Sequence, residues 1–170
     1  LYALDISTGQ ELWEFKTGGP IYADVSIDDG NIYFGSDDNN FYCLDITGKV
    51  LWKRDMKTSF KASSSFYKDM IIISAVDGYV YALDKNTGHE EWKFQTRGTL
   101  WASPVVHKDM IFIGSFDMNF YCLDANTGSK LWSYTTEGRI RSTALTWKNF
   151  LFVASEDKNI YCFRSSEEIQ

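Results

Sequence analysis

At 170 residues the chain is long enough to bury a core, and its 44% hydrophobic and 16% aromatic content, with only two prolines, excludes a disordered polymer. A formal net charge of −6 argues against a general phosphate-backbone binder, which needs a basic face, so nucleic acid is not an expected partner. The longest apolar run, around Met70 to Val76, falls far short of the roughly 20 residues that cross a bilayer, and no membrane span is expected.

In chain order, the first predicted element is a pair of strands within residues 1–16, joined by the turn Asp5-Ile6-Ser7-Thr8-Gly9 and followed by Trp13. The same phrase then recurs. Tyr2, Tyr42, Tyr81, Tyr121 and Tyr161 are spaced by 40, 39, 40 and 40 residues, and Trp13, Trp52, Trp92 and Trp132 keep nearly the same step. The single 39 comes from Asp45-Ile46-Thr47-Gly48, one residue shorter than the Asp-x-x-Thr-Gly of the other copies, and a deletion that leaves the rest in register belongs in a turn. Self-similarity at about 40 residues points to a solenoid, propeller or array.

Full units follow at 20–55, 59–95 and 99–135, and an incomplete one at 139–164. In the third full unit, TLWASPVV (99–106), MIFIGS (110–115), FYCLD (120–124) and KLWSY (130–134) are rich in β-branched and aromatic residues and are separated by turn residues. Asp-Gly and Thr-Gly separators suit hairpins, because glycine supplies positive φ and aspartate bonds the turn amides ahead of it. Four antiparallel strands per 40-residue unit describe a propeller blade, whereas helical repeats would need a 3.6-residue period that these runs lack. The fold expected is all-β, a single domain over 1–170 with about four blades, a partial or small propeller. Each repeated indole is read as a packing wedge between blades.

The phrase Tyr-x-Leu-Asp-x-x-Thr-Gly-x-x-x-Trp resembles the signature of pyrroloquinoline quinone (PQQ)-type propeller repeats, over nearly the whole chain. The resemblance implies that Trp13, Trp52, Trp92 and Trp132 dock against the Thr-Gly turns of adjacent blades, those of Gly9, Gly48, Gly88 and Gly128. Many proteins with this signature bind no quinone, so it speaks for the fold before any chemistry. Propellers of this type usually have about seven or eight blades, and the opening in mid-phrase leads to the expectation of a C-terminal portion of a larger propeller. Two other arrangements stay open: a four-bladed ring closed by pairing the 11–16 strand onto the 159–164 strand, and a homodimeric eight-bladed ring.

Catalytic patterns are absent from the sequence. His89 and His107 have no metal-ligand spacing, no Gly-x-Ser-x-Gly or Cys-x-x-Cys occurs, and the acidic IDDGN at 27–31 reads as a turn rather than a calcium loop. Cys43, Cys122 and Cys162 occupy the slot that Ala3 and Ala82 fill in other copies, so they are expected as small buried apolar groups. The copies disagree most at the start of the innermost strand, where Tyr22, Lys61, Trp101 and Arg141 are equivalent. By analogy with propellers these four face a central funnel and are the candidate ligand-binding residues, cations and aromatics suited to an anionic, partly planar ligand. Loops between second and third strands add Asp38, Tyr79, Met118 and Lys158. The function expected is a non-catalytic scaffold that binds a protein or peptide without a cofactor. The alternatives are part of a quinoprotein dehydrogenase holding PQQ with calcium, or a propeller binding a small anion.

Overall fold

The structure, a computed structural model, describes residues 1–165. Among these residues there are seventeen strands and no helix. A two-stranded sheet, β1 (Tyr2–Leu4) and β2 (Glu11–Glu14), is followed by three four-stranded meanders: β3 (Ser26–Asp28), β4 (Asn31–Gly35), β5 (Asn40–Asp45) and β6 (Val50–Asp55); β7 (Ser65–Tyr67), β8 (Met70–Ser74), β9 (Tyr79–Asp84) and β10 (Glu90–Gln95); β11 (Val105–His107), β12 (Met110–Gly114), β13 (Asn119–Asp124) and β14 (Lys130–Thr135). The last sheet has three strands, β15 (Leu145–Trp147), β16 (Phe150–Ala154) and β17 (Ile160–Arg164). Every pairing is antiparallel, so each sheet is one blade of a propeller.

Burial explains the composition of the strands. The second and third strands of the full blades are apolar on both faces because neighbouring blades cover both: Ile71, Ile72 and Ile73 on β8 and Val80, Ala82 and Leu83 on β9 are all buried. Fourth strands lie outermost, and Glu90–Gln95 alternates between half-buried and exposed residues. Core clusters span blade boundaries: Phe60, Ile71 and Leu83 of one blade pack with Tyr33, Phe41 and Cys43 of the blade before. Glycine is required at Gly35, where a Cβ would overlap the ring of Phe60 from the next blade.

The innermost strand is shorter than the sequence predicts. Of the predicted 99–106 run only Val105 and Val106 pair in the ladder, which continues to His107. Pro104 has no N–H to give, and the residues before it bond elsewhere: the Thr99 carbonyl accepts from the Phe116 amide (3.1 Å), the Ala102 carbonyl from Ser74 Oγ (2.7 Å), and the Ser103 amide donates to Thr143 Oγ1 (3.2 Å). The segment stitches three blades together rather than extending one.

Nor is the 11–16 strand paired onto the 159–164 strand. Its ladder edge is taken by β1, with Tyr2↔Glu14 and Ala3↔Trp13 in register and the Tyr2 hydroxyl donating to Glu14 (2.7 Å).

Candidate functional site

Three of the four repeated indoles sit on the turn of the following blade. The Nε1–H of Trp13 donates to the Ile46 carbonyl (3.0 Å), that of Trp52 to Lys85 (2.9 Å) and that of Trp92 to Ala125 (3.3 Å). A Cβ on Gly48 would stand 2.8 Å from the Trp13 ring, one on Gly88 2.7 Å from Trp52, and one on Gly128 closer still to Trp92, so only a bare glycine lets the indole lie flat. These turns are themselves rigid. Asp84 Oδ1 accepts the Asn86 and Thr87 amides and the Thr87 hydroxyl, which together hold its carboxyl below the usual carboxylate range. Gly9 and Trp132 are different: nothing lies within 4 Å of a Cβ on Gly9, and Trp132 is 36% exposed against Phe112, Phe120 and Phe163.

The four variable positions fall into two groups. Backbone bonds fix the loops that hold them, because the Asp37, Val76, Phe116 and Glu156 amides donate to the carbonyls of Pro20, Ser59, Thr99 and Arg139 at 2.9 to 3.1 Å. The first residue of each second-to-third-strand loop is thereby held beside the innermost segment of its own blade. Lys61 then reaches back across the blade boundary to both oxygens of Asp37 (2.9 and 2.7 Å), with its ammonium 3.7 Å from the centre of the Tyr22 ring. Trp101 packs on Phe116 with centroids 5.0 Å apart, the Arg141 guanidinium lies 5.0 Å from both rings, and its Nε donates to Glu156 (2.6 Å). Arg139 covers Phe116 as well, at 5.5 Å. Tyr22 with Lys61, and Trp101 with Arg141, are therefore neighbours, and each cation already holds a carboxylate.

Asp37, Phe116 and Glu156 escape a reading of the sequence that looks only at the innermost segment. Their signal lies one position before the regular loop aspartate, where the copies read Asp37, Val76, Phe116 and Glu156, as varied as the partners they meet.

Of the loop residues named from the sequence, Asp38 is consumed by structure. It accepts the Tyr42 hydroxyl (2.6 Å), the Gly18 amide (2.8 Å) and Asn40; burial alone would raise its pKa, but these bonds prevail and hold it at about 2. Met118 and Lys158 stand at positive φ, 68° and 73°, at the position filled by Gly78 in the third sheet, and Met118 is exposed. Tyr79 lies on β9, its ring tilted against that of Tyr81 with centroids 5.5 Å apart. The cysteines divide: Cys43 and Cys122 are buried, but Cys162, expected to be buried too, is exposed on β17, which pairs with no outer strand among the described residues.

Comparison with known proteins places this geometry. The family described as outer membrane protein assembly factor BamB matches residues 1–101 and 95–168. The outer membrane protein assembly factor BamB of Burkholderia pseudomallei is 28% identical over 88 residues, 52% of this chain and 23% of that protein. BamB from Moraxella catarrhalis superposes with a TM-score of 0.81 at 25% identity, covering 92% of this chain and 50% of that one. The quinohemoprotein alcohol dehydrogenase of Comamonas testosteroni, at 19% identity and a TM-score of 0.72 over 81% of this chain and 29% of its own, shares the fold alone. The chain spans less than a quarter of the length of the curated relatives it matches.

Proposed function

Because the chain belongs to the BamB-like family of PQQ-type repeat propellers, we propose that it is a non-catalytic scaffold that binds a protein or peptide partner on its funnel face. The observation that carries this reading is the Trp101–Phe116 pair, ring on ring beneath Arg141 and Arg139, with 41% of Trp101 exposed. Aromatic and arginine side chains fixed by neighbours offer a broad contact at little cost in side-chain entropy. Tyr22, 62% exposed under Lys61, gives a second such point two blades away.

A small quinone fits these residues poorly. Lys61 and Arg141 would have to release Asp37 and Glu156 to meet its carboxylates, and they stand in separate clusters. No group of three His, Cys, Asp or Glu able to hold a metal occurs among the described residues.

A displayed library of random peptides panned against the purified protein tests the reading. The expected result is a set of binders whose affinity drops about tenfold or more in Trp101→Ala and Arg141→Ala, with melting temperature nearly unchanged. PQQ retained with calcium through gel filtration, with loss of retention in Arg141→Ala, would overturn it.

A further inference from the structure

The loops between second and third strands are built alike but bordered by different charges. One bordering position lies in the connection before the blade, where the amides of Gly18 and Arg97 each donate to the loop aspartate at 2.8 Å. The other lies at the start of the next blade, where Arg139 covers Phe116. At the loops of Asp37, Val76 and Phe116 the two positions read Gly18 and Ser59, Lys57 and Thr99, and Arg97 and Arg139. Of these three loops, that of Phe116 alone has a cation on both sides.

Those two arginines are open. Lys57 is bound by Asp55, and Lys61 and Arg141 hold Asp37 and Glu156, whereas Arg97 and Arg139 are exposed and make no ion pair among the described residues. The loop carboxylates nearby are already engaged. Asp77 accepts the Tyr81 hydroxyl (2.8 Å) and the Tyr79 amide (3.0 Å), and Asp117 accepts the Tyr121 hydroxyl (2.7 Å) as well as the Arg97 amide. On a chain of net charge −6, a sector whose unpaired side chains are cationic complements an anionic partner.

Arg97 also borders a recess of about 500 Å³, walled by Val76, Asp77, Thr96, Gly98 and Thr99. The recess is tied to the aromatic pair. The Thr99 carbonyl accepts the Phe116 amide (3.1 Å), and a Cβ on Gly98 would overlap the Asp117 amide, so the bare glycine lets this wall close on the loop. Trp101, two residues beyond Thr99, lies on Phe116, and Met118 of the same loop is exposed.

We propose that the partner on the funnel face is an acidic protein segment carrying an aromatic side chain, its ring laid on Trp101 and Phe116 and its carboxylates held by Arg97, beside the recess, and by Arg139. This rests on the funnel-face reading and adds the chemistry of the partner. Arginine suits both places, because its planar fork takes a carboxylate through two N–H groups and its face stays on a ring. A single short segment reaches both cations, since they border one loop. The Tyr22 sector lacks this selectivity because its cation, Lys61, is already neutralised by Asp37.

An array of short peptides centred on tryptophan or phenylalanine, each made with glutamate, glutamine or lysine around the ring, tests the proposal by fluorescence anisotropy. The tightest glutamate peptides are expected to bind at least about tenfold better than their glutamine versions at low salt, and to lose most of that advantage in about 0.5 M NaCl. Arg97→Ala and Arg139→Ala should each weaken them about fivefold or more and leave the glutamine versions within about twofold. Both side chains are exposed, so the melting temperature should stay at the wild-type value. Equal binding of glutamate and glutamine versions, lost in Trp101→Ala, overturns this proposal and leaves the funnel-face reading standing. No binding by any version overturns both. A single-stranded oligothymidylate that binds as tightly as the glutamate peptides, with the same loss in Arg97→Ala, overturns the assignment to a protein segment.

Discussion

Asp38, Asp77, Asp117 and Asp157 each accept the hydroxyl of the tyrosine four residues on, at 2.6 to 2.8 Å, and this pair repeats through every described blade that has a third strand with a loop before it. For Asp117, burial raises the pKa but the Tyr121 hydroxyl and the Asn119 and Arg97 amides outweigh it, and the net shift is downward, as it is for Asp38 at about 2 and Asp157. An aspartate in the unfolded chain titrates near about 3.9, so the stabilisation is complete above that pH and is lost as pH falls toward 2. Melting temperature should therefore be flat from neutrality to about pH 5 and drop steeply between about 4 and 2; a flat profile through pH 3 would remove these carboxylates from the account. Burial pushes the Cys43 thiol up to about 11 and Cys122 to about 12, so at pH 8 neither should react with a disulfide reagent until denaturant is added. Lys61→Ala and Arg141→Ala remove partly exposed ion pairs and should each cost about 1 kcal/mol or less, read by urea titration. None of this pairing is legible from residue identity alone. Lys61 and Asp37 lie 24 residues apart in different blades, and the loop aspartates read as ordinary turn formers until tyrosine closes the ring.

At the scale of the element, the turn and the indole above it act as one unit. Gly9 and Gly128 share a φ near 70°, so replacing either by alanine incurs the same left-handed backbone strain, roughly 1–2 kcal/mol. Gly128→Ala must also lift Trp92 off the turn and should lose about 1–3 kcal/mol more, whereas Gly9→Ala should not, because nothing among the described residues meets its Cβ. Comparing the two unfolding free energies isolates the indole contact. Strand order and turn positions were legible here, since the phrase fixes Asp, Thr, Gly and Trp at constant spacing. The length of the innermost strand was not. TLWASPVV has strand composition, but its backbone partners are hydroxyls from adjacent blades, Ser74 and Thr143, which no local pattern in that run encodes.

For the whole molecule, blades contact chiefly their neighbours, so stability should be greatest in the middle and least in the sheets with one uncovered face. The outer strand shows the gradient: β10 alternates between half-buried and exposed, whereas all six residues of β14 are exposed. Amide exchange should be slowest in β8, β9, β12 and β13 and fastest in β1, β2 and β17; uniform protection would contradict a repeat-by-repeat build.

The sequence by itself determined the blade, because a 40-residue period with alternating apolar runs and fixed turn residues leaves a meander sheet as the unit that buries both faces against its copies. It also marked where variation is free of packing. Only the tertiary structure decided what those variable residues do: whether Lys61 and Arg141 are open cations or occupied ones depends on carboxylates that arrive from other loops and blades. The same holds for Trp132 and Cys162, identical in type to their counterparts, whose exposure depends on which strands and turns cover them in space. Local chemistry specifies a repeat, but charge balance and coverage are properties of neighbours, and neighbours are assigned in space.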